Sequence, residues 1–134
     1  MSGSVQCVIT RRAFDFSNLA NATTMEVPLL RALEVTEATS IDLVVRVHNR
    51  TITGGSIQVI ARAISLTSEE PETDFVSAGS DLATITLSTA SPVLHLASLS
   101  TPFGPMIRIL VKGTGATAAT ITATISVDIV VRNN

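Results

Sequence analysis

Residues 118–134 carry the feature that most limits what this chain can become: Ile121, Ala123, Ile125, Val127, Ile129 and Val131 recur at every second position. Between them fall Thr120, Thr122, Thr124, Ser126, Asp128, Val130 and Arg132, so one face is continuously apolar and the other polar, with Val130 as its one interruption. Alternation at about 180° per residue belongs to an extended strand, because a helix would bring every third or fourth residue to one side. A strand of roughly a dozen residues is long beside a usual length of about 5–6. It crosses a whole sheet and either pairs on both sides or projects beyond its own subunit. At an open edge, a flat Thr-faced strand of that length would be an aggregation hazard. It therefore belongs in the middle of a sheet or under a neighbour, with Val130 the first place to look for that cover.

The same period recurs upstream. A strand begins at Val5, and Arg11 to Phe16 extends it with two aromatics at spacing two. Val5, Cys7 and Ile9 fall on one face, which reads Cys7 as a buried small hydrophobe; an intermolecular disulfide or a reactive thiol is the alternative. Met25, Val27 and Leu29 alternate around Pro28, which demotes that strand to an edge or a bulge because proline has no N–H to give the ladder. Residues 31–38 fit one helical turn or a short irregular strand. Ile41, Leu43, Val45 and Val47 then share one strand face, against Asp42, Val44, Arg46 and His48 on the other. In residues 56–67 both faces are partly apolar, which places the strand centrally or under cover on both sides. Gly54-Gly55 lies between these two segments and supplies the positive φ of a tight turn, so they read as a hairpin. Residues 68–80 break the pattern with Glu69, Glu70, Pro71, Glu72 and Asp74, a loop holding the one concentration of charge. Three shorter strands follow, at 82–87, 92–99 and 106–112, before Gly113-Thr114-Gly115 turns the chain into the last.

About eight strands separated by turn signals, with no long helix, are the pattern of an antiparallel sandwich or barrel. At 134 residues the chain is one domain, 1–134. An immunoglobulin domain would need a Cys pair and a Trp that are absent here. A lipocalin-like barrel would need an even series of up-and-down hairpins, whereas the long acidic connection suits a crossover between sheets. The expectation is an all-β fold, a single antiparallel β-sandwich of about eight strands with jelly-roll topology.

Chemistry is harder to find. His48 and His95 are the only histidines, and Asp42, on the face of His48, lies roughly 20 Å along the strand from it. That pair cannot chelate a metal directly, and a single Cys forms neither a disulfide framework nor a Cys-based zinc cage. The acidic loop lacks the alternating Asp pattern and glycine of a calcium loop, and Pro71 stiffens it. Gly113-Thr114-Gly115 lacks the lysine and helix of a phosphate loop, and no nucleophile elbow is present. Neither a catalytic constellation nor a cofactor, metal or small-molecule substrate site is read from the sequence. Nine basic against eleven acidic residues give no excess to favour nucleic acid. No run approaches the roughly 20 apolar residues of a membrane span, and the N-terminus lacks the features of a signal peptide, which together imply synthesis in the cytoplasm. There is no Trp or Tyr, and aromatics are 3% of the chain, so the stacking platforms of carbohydrate and single-stranded nucleic-acid binders are missing.

What remains is a surface poor in charge. Charged residues are 15% of the chain, against about 25% in an ordinary globular protein, and a net charge of −2 offers little repulsion between copies. Self-association follows as the expectation. Arg11 and Arg12 complement Glu69, Glu70, Glu72 and Asp74 as contacts between subunits. Phe14, Phe16 and Phe103 are candidate anchors, with Phe75, unless the monomer's own core takes them, and Val130 is a candidate contact on the last strand. In its succession of strands from Val5 to Val131 and its Thr/Ala-rich last strand, the chain resembles small jelly-roll coat or decoration proteins of virions and phage-like particles. That resemblance implies a non-enzymatic homo-oligomer that builds or coats a capsid or shell, and it carries over no functional residue. A lectin-like, ligand-binding β-sandwich module is the alternative.

Overall fold

The computed structural model describes residues 2–64, 80–89, 93–101, 103 and 106–133. Its eight strands are β1 (Ser2–Asp15), β2 (Thr24–Glu34), β3 (Ala38–Ile52), β4 (Ser56–Ile64), β5 (Ser80–Leu87), β6 (Leu94–Ser98), β7 (Met106–Thr114) and β8 (Ile121–Asn133). They form two four-stranded antiparallel sheets packed as a sandwich, β1-β8-β3-β6 and β2-β7-β4-β5. No helix occurs among the described residues. The pairings β1 with β8, β2 with β7, β3 with β6 and β4 with β5 are those of one long doubled hairpin, folded at β4 and β5, whose successive segments are laid alternately into the two sheets.

β8 is central in the first sheet, paired along its length with β1 and β3. The hazard of an open edge is thus removed within the monomer, and Val130 lies in a cross-sheet row between Val5 and Asp42. The apolar face of β8 is the middle of the core: Ile121, Ile125, Val127 and Ile129 are wholly buried and Ala123 nearly so. They meet Ile41, Leu43, Val45 and Val47 of β3, Ile57 and Val59 of β4, and Ile107, Ile109 and Val111 of β7 in one cluster.

β4 is also central, between β7 and β5, in keeping with its two apolar faces. Ile60 and Ile64, with Leu110 of β7, are buried but stand outside the main core cluster, as do the buried Arg62 and Arg108. Pro28 lies on β2, an edge strand. Residues 31–34 continue β2 as strand, and a turn at Thr36 and Glu37 leads into β3.

Three expectations are corrected. β3 and β4 do not form a hairpin: they lie in different sheets, and Gly54-Gly55 carries the chain across. Gly55 still takes positive φ, at 64°. The acidic connection expected to cross between sheets instead lies between β4 and β5, which are antiparallel neighbours in one sheet. Both reversals have one cause: apolar spacing says which face of a strand is buried, but not which strand lies beside it. Cys7 is exposed rather than buried. A break in register between Cys7 and Ile9 leaves Val5 and Cys7 opposite the outward-facing Val130 and Asp128, while Ile9 pairs with the inward Val127.

Two charged clamps knit the sheets. On the second, the buried Arg62 donates through both terminal nitrogens to Glu26 of β2, at 3.1 and 2.9 Å, and through Nε to Asp81 of β5 at 2.8 Å. β7 lies between β2 and β4, so this one guanidinium braces all four strands. Its hydrogen bonds to Glu26 raise its pKa, against the opposing effect of burial, and those to Asp81 add to the rise. On the first sheet, Arg132 of β8 donates to Asp42 of β3 at 2.6 Å, and the Ser98 hydroxyl of β6 donates to the same carboxylate at 2.7 Å.

Phe16 closes one end of the sandwich, its ring seated on Gly113 of β7 and stacked on Phe14 with centroids 6.2 Å apart. A Cβ on Gly113 would overlap that ring, whereas one on Gly54 would only press on the methyl groups of Ala116 and Ala119 at 3.2 Å. Gly113→Ala is therefore expected to destabilise the fold by about 1–3 kcal/mol in urea unfolding, with Gly54→Ala costing clearly less; equal losses would refute this account of Gly113. A second expectation concerns acid. Arg132 first, then Ser98, holds the Asp42 carboxyl below its usual range. The folded state thus binds this proton less readily than the unfolded chain, and the stabilisation is complete above about pH 4 and lost as pH falls through the lowered value. Arg132 is partly exposed, so Asp42→Asn should cost about 1 kcal/mol at pH 7, a difference that closes toward pH 2 in paired denaturation curves.

Candidate functional site

Solvent meets the first sheet on the face turned away from the core. Register sets its side chains in rows across the strands: Val5, Val130, Asp42 and Ser98, then Cys7, Asp128, Val44 and Leu96. A further row brings Ser126, Arg46 and Leu94 together. Two surfaces stand out here, one apolar and one basic.

The apolar surface is the edge strand β6. It alternates in the reverse sense to β8, with Leu94 and Leu96 outward at 49% and 68% exposure and His95 and Ala97 paired with the core residues Val45 and Leu43. Val93, just before it, is 62% exposed. The Nε2 atom of His95 is shielded from solvent and has no hydrogen-bond partner among the described residues. The sequence reading places a strand here but misses its orientation. The signal lay in the polar residue flanked by two leucines, His95, which marks the inward face against the usual expectation.

The basic surface surrounds Ser126. On one side of β8, the register of β1 passes from Ile9 opposite Val127 to Arg12 opposite Ile125, so Thr10 and Arg11 together face Ser126. On the other side, β3 passes from Val47 opposite Ile125 to Asn49 opposite Thr124, leaving His48 as the extra residue. Two bulges thus flank the same stretch of β8. A bulge re-aims side chains that a regular ladder would point elsewhere. The Arg11 backbone N–H is turned onto Ser126 Oγ at 3.0 Å, with Arg11 at φ 46°, and His48 Nε2 lies 2.8 Å from the same oxygen. Arg46 is directly across from Ser126. Partial desolvation lowers the His48 pKa, and the charges of Arg11 and Arg46 lower it further. Ser126 and His48 make a hydroxyl–imidazole contact, but no side chain among the described residues holds the other ring nitrogen in place.

The residues singled out from the sequence are thereby dispersed. Arg11 and Arg12 are exposed on β1, with the Arg12 guanidinium 5.0 Å from the centre of the Phe14 ring. Phe14, Phe16 and Phe103 are buried in the monomer's core, the alternative already open for them. Val130 is half-buried on the outer face. Glu69, Glu70, Glu72, Asp74 and Phe75 lie outside the described residues. Among the described residues, no three His, Cys, Asp or Glu side chains gather as a metal ion requires. A groove of about 330 Å³ opens at the far end of the sandwich, lined in part by Ser4, Gln6, Glu34, Glu37 and Asn133.

No family model matches the chain, and no curated protein matches it. One solved chain, from Bacillus endospore appendages described as a novel family of disulfide-linked pili, is similar over 100% of this chain and 93% of its own length. Identity is 13% and the TM-score 0.44, a likeness that carries no functional argument.

Proposed function

We propose that the chain is a non-enzymatic structural subunit that self-associates by pairing β6 with β6 of a second copy, and that its fold is a jelly roll. The topology supports the second part: a doubled hairpin rolled so that its pairs alternate between two sheets amounts to two interlocked Greek keys. A structural role fits the Ser126 and His48 pair as well, since a nucleophile and base without an orienting third group lack the arrangement of a catalytic triad.

The observation that carries the association is the difference between β6 and the other three edges. β1 is interrupted by two register breaks, β2 by Pro28 and two more, and β5 by one opposite Ala61 and Arg62. Such irregularities are how sheet edges are made unfit for pairing. β6 has none, and it presents outward leucines along a regular ladder. An antiparallel β6–β6 contact is isologous, each strand offering the other the same groups about a two-fold axis. It joins the backbone edges and brings both pairs of leucines together on one continuous sheet face. Little charge opposes it, the net value being −2. The finer reading, that such dimers build or coat a capsid- or virion-like particle, follows from the resemblance in strand succession and belongs to the same proposal.

Size-exclusion chromatography with light scattering at micromolar concentration is expected to give a mass of at least twice 14.0 kDa. The double variant Leu94→Lys, Leu96→Lys should give the single-chain mass with unchanged far-UV circular dichroism. A wild-type monomer at all concentrations, or an oligomer indifferent to the double variant, would overturn the proposal.

A further inference from the structure

We propose that Arg11, Arg46 and His48, gathered around Ser126 by the two facing bulges, form a binding site for a small tetrahedral oxyanion of the phosphate class. The inference is independent of association through β6.

The backbone is the first argument. Left-handed φ is unfavourable for a residue with a Cβ, and where it persists the surroundings enforce it. The other non-glycine residues with positive φ, Ala22 and Ala118, lie in turns. Arg11 adopts it within a strand, at the bulge that turns its N–H onto Ser126. A glycine would meet the backbone requirement without strain, so the bulge carries an arginine at a backbone cost.

Charge is the second. Neither Arg11 nor Arg46 is paired with a carboxylate among the described residues, although Arg62 and Arg132 both are. Asp128 lies two residues along β8, between Cys7 and Val44, and forms no ion pair among the described residues. Arg50, beyond the β3 bulge, donates to the Thr89 carbonyl, and Arg12 lies over Phe14. The result, among the described residues, is two guanidiniums without a carboxylate partner on the strands either side of β8, near the contact of His48 with Ser126.

The arrangement selects the ligand class. A carboxylate offers two coplanar oxygens, which one guanidinium satisfies edge to edge. Donors arriving from two strands on either side of a third are not coplanar, and they suit an anion whose oxygens point in several directions. Such an anion would also reverse the electrostatics at His48, favouring the imidazolium that Arg11 and Arg46 now disfavour.

His48 is accordingly the reporter. Its ring resonances, distinguished from those of His95 with a His95→Gln variant, can be followed by NMR against pH at constant ionic strength. The chloride form is compared with millimolar inorganic phosphate, sulfate and acetate. The expected result is a rise of the His48 pKa by about one unit with phosphate or sulfate, little change with acetate or at His95, and loss of the response in Arg46→Gln. Arg11→Gly adds a discriminating outcome: it should raise the melting temperature by relieving the left-handed residue and abolish the response to phosphate. An unmoved His48 in tens of millimolar phosphate, a response that survives in both variants, or an equal response to acetate would overturn the site.

Discussion

Everything in the first sheet depends on the register of β8. Its inward face is Ile121, Ala123, Ile125, Val127 and Ile129, all buried, and its outward face begins with Thr122, Thr124 and Ser126. Strand side chains alternate, so a slip by one residue would exchange these sets, placing hydroxyls in the core and isoleucines in water. With about 25 cal/mol per Å² of apolar surface at stake, no rearrangement elsewhere could offset that exchange. β8 is therefore the fixed element, and β1 and β3 adapt to it. The adaptation is visible as bulges, each of which lets a strand shift its alternation by one residue while holding the ladder on either side. That Ile9 ends up inward opposite Val127, although Cys7 two residues before it on the same strand is outward opposite Asp128, is the consequence of the first of those shifts.

This explains what could be read in the amino-acid order and what could not. β8 was legible because nothing interrupts its alternation, and β4 because apolar residues on both faces require cover on both. Pro28 marked an edge because its missing N–H is a local property. Cys7 and Leu96 were not legible in the same way. Inferring the face of a residue assumes an unbroken strand, and a bulge between Cys7 and Ile9 is a tertiary accommodation with no local signature. The Gly54-Gly55 turn shows the same limit: its positive φ was predictable, but whether the chain then returned beside β3 or crossed to the other sheet depended on partners far away in the sequence. The site around Ser126 escaped notice for this reason too. Arg11, Arg46, His48 and Ser126 come from three strands; regular pairing sets Arg46 across from Ser126, and two bulges bring Arg11 and His48 onto the same residue.

The few charges are used with economy. Arg62 holds a carboxylate on the adjacent β5 and another across β7 on β2, and Arg132 holds one on the adjacent β3, so the clamps on the two sheets are alike in kind and differ in span and burial. Arg62 is largely enclosed and its pairing with Glu26 and Asp81 offsets a desolvation cost. Arg132 is more open to water and contributes less. Both work as cross-strand braces on faces where Thr and Ser offer weaker links. Arg11 and Arg46 depart from that pattern, having no carboxylate partner among the described residues, and both stand on strands that flank Ser126.

The edges of the sandwich lead to a further consequence for assembly. A subunit with two complementary regular edges can add copies without limit, and an open fibre is the outcome. One regular edge used isologously is consumed when two copies meet, so the contact closes on itself. At β6 that contact is short, five residues in all, and backbone bonding alone would hold it weakly because each bond replaces one to water. The outward leucines change the balance. Paired across a two-fold axis as proposed, they would withdraw apolar surface from water on both copies, a gain that ladder bonds would direct into a single register. Breaks in β1, β2 and β5 discourage the same event at the other three edges, so the geometry favours a finite pair as the building unit over an indefinite sheet.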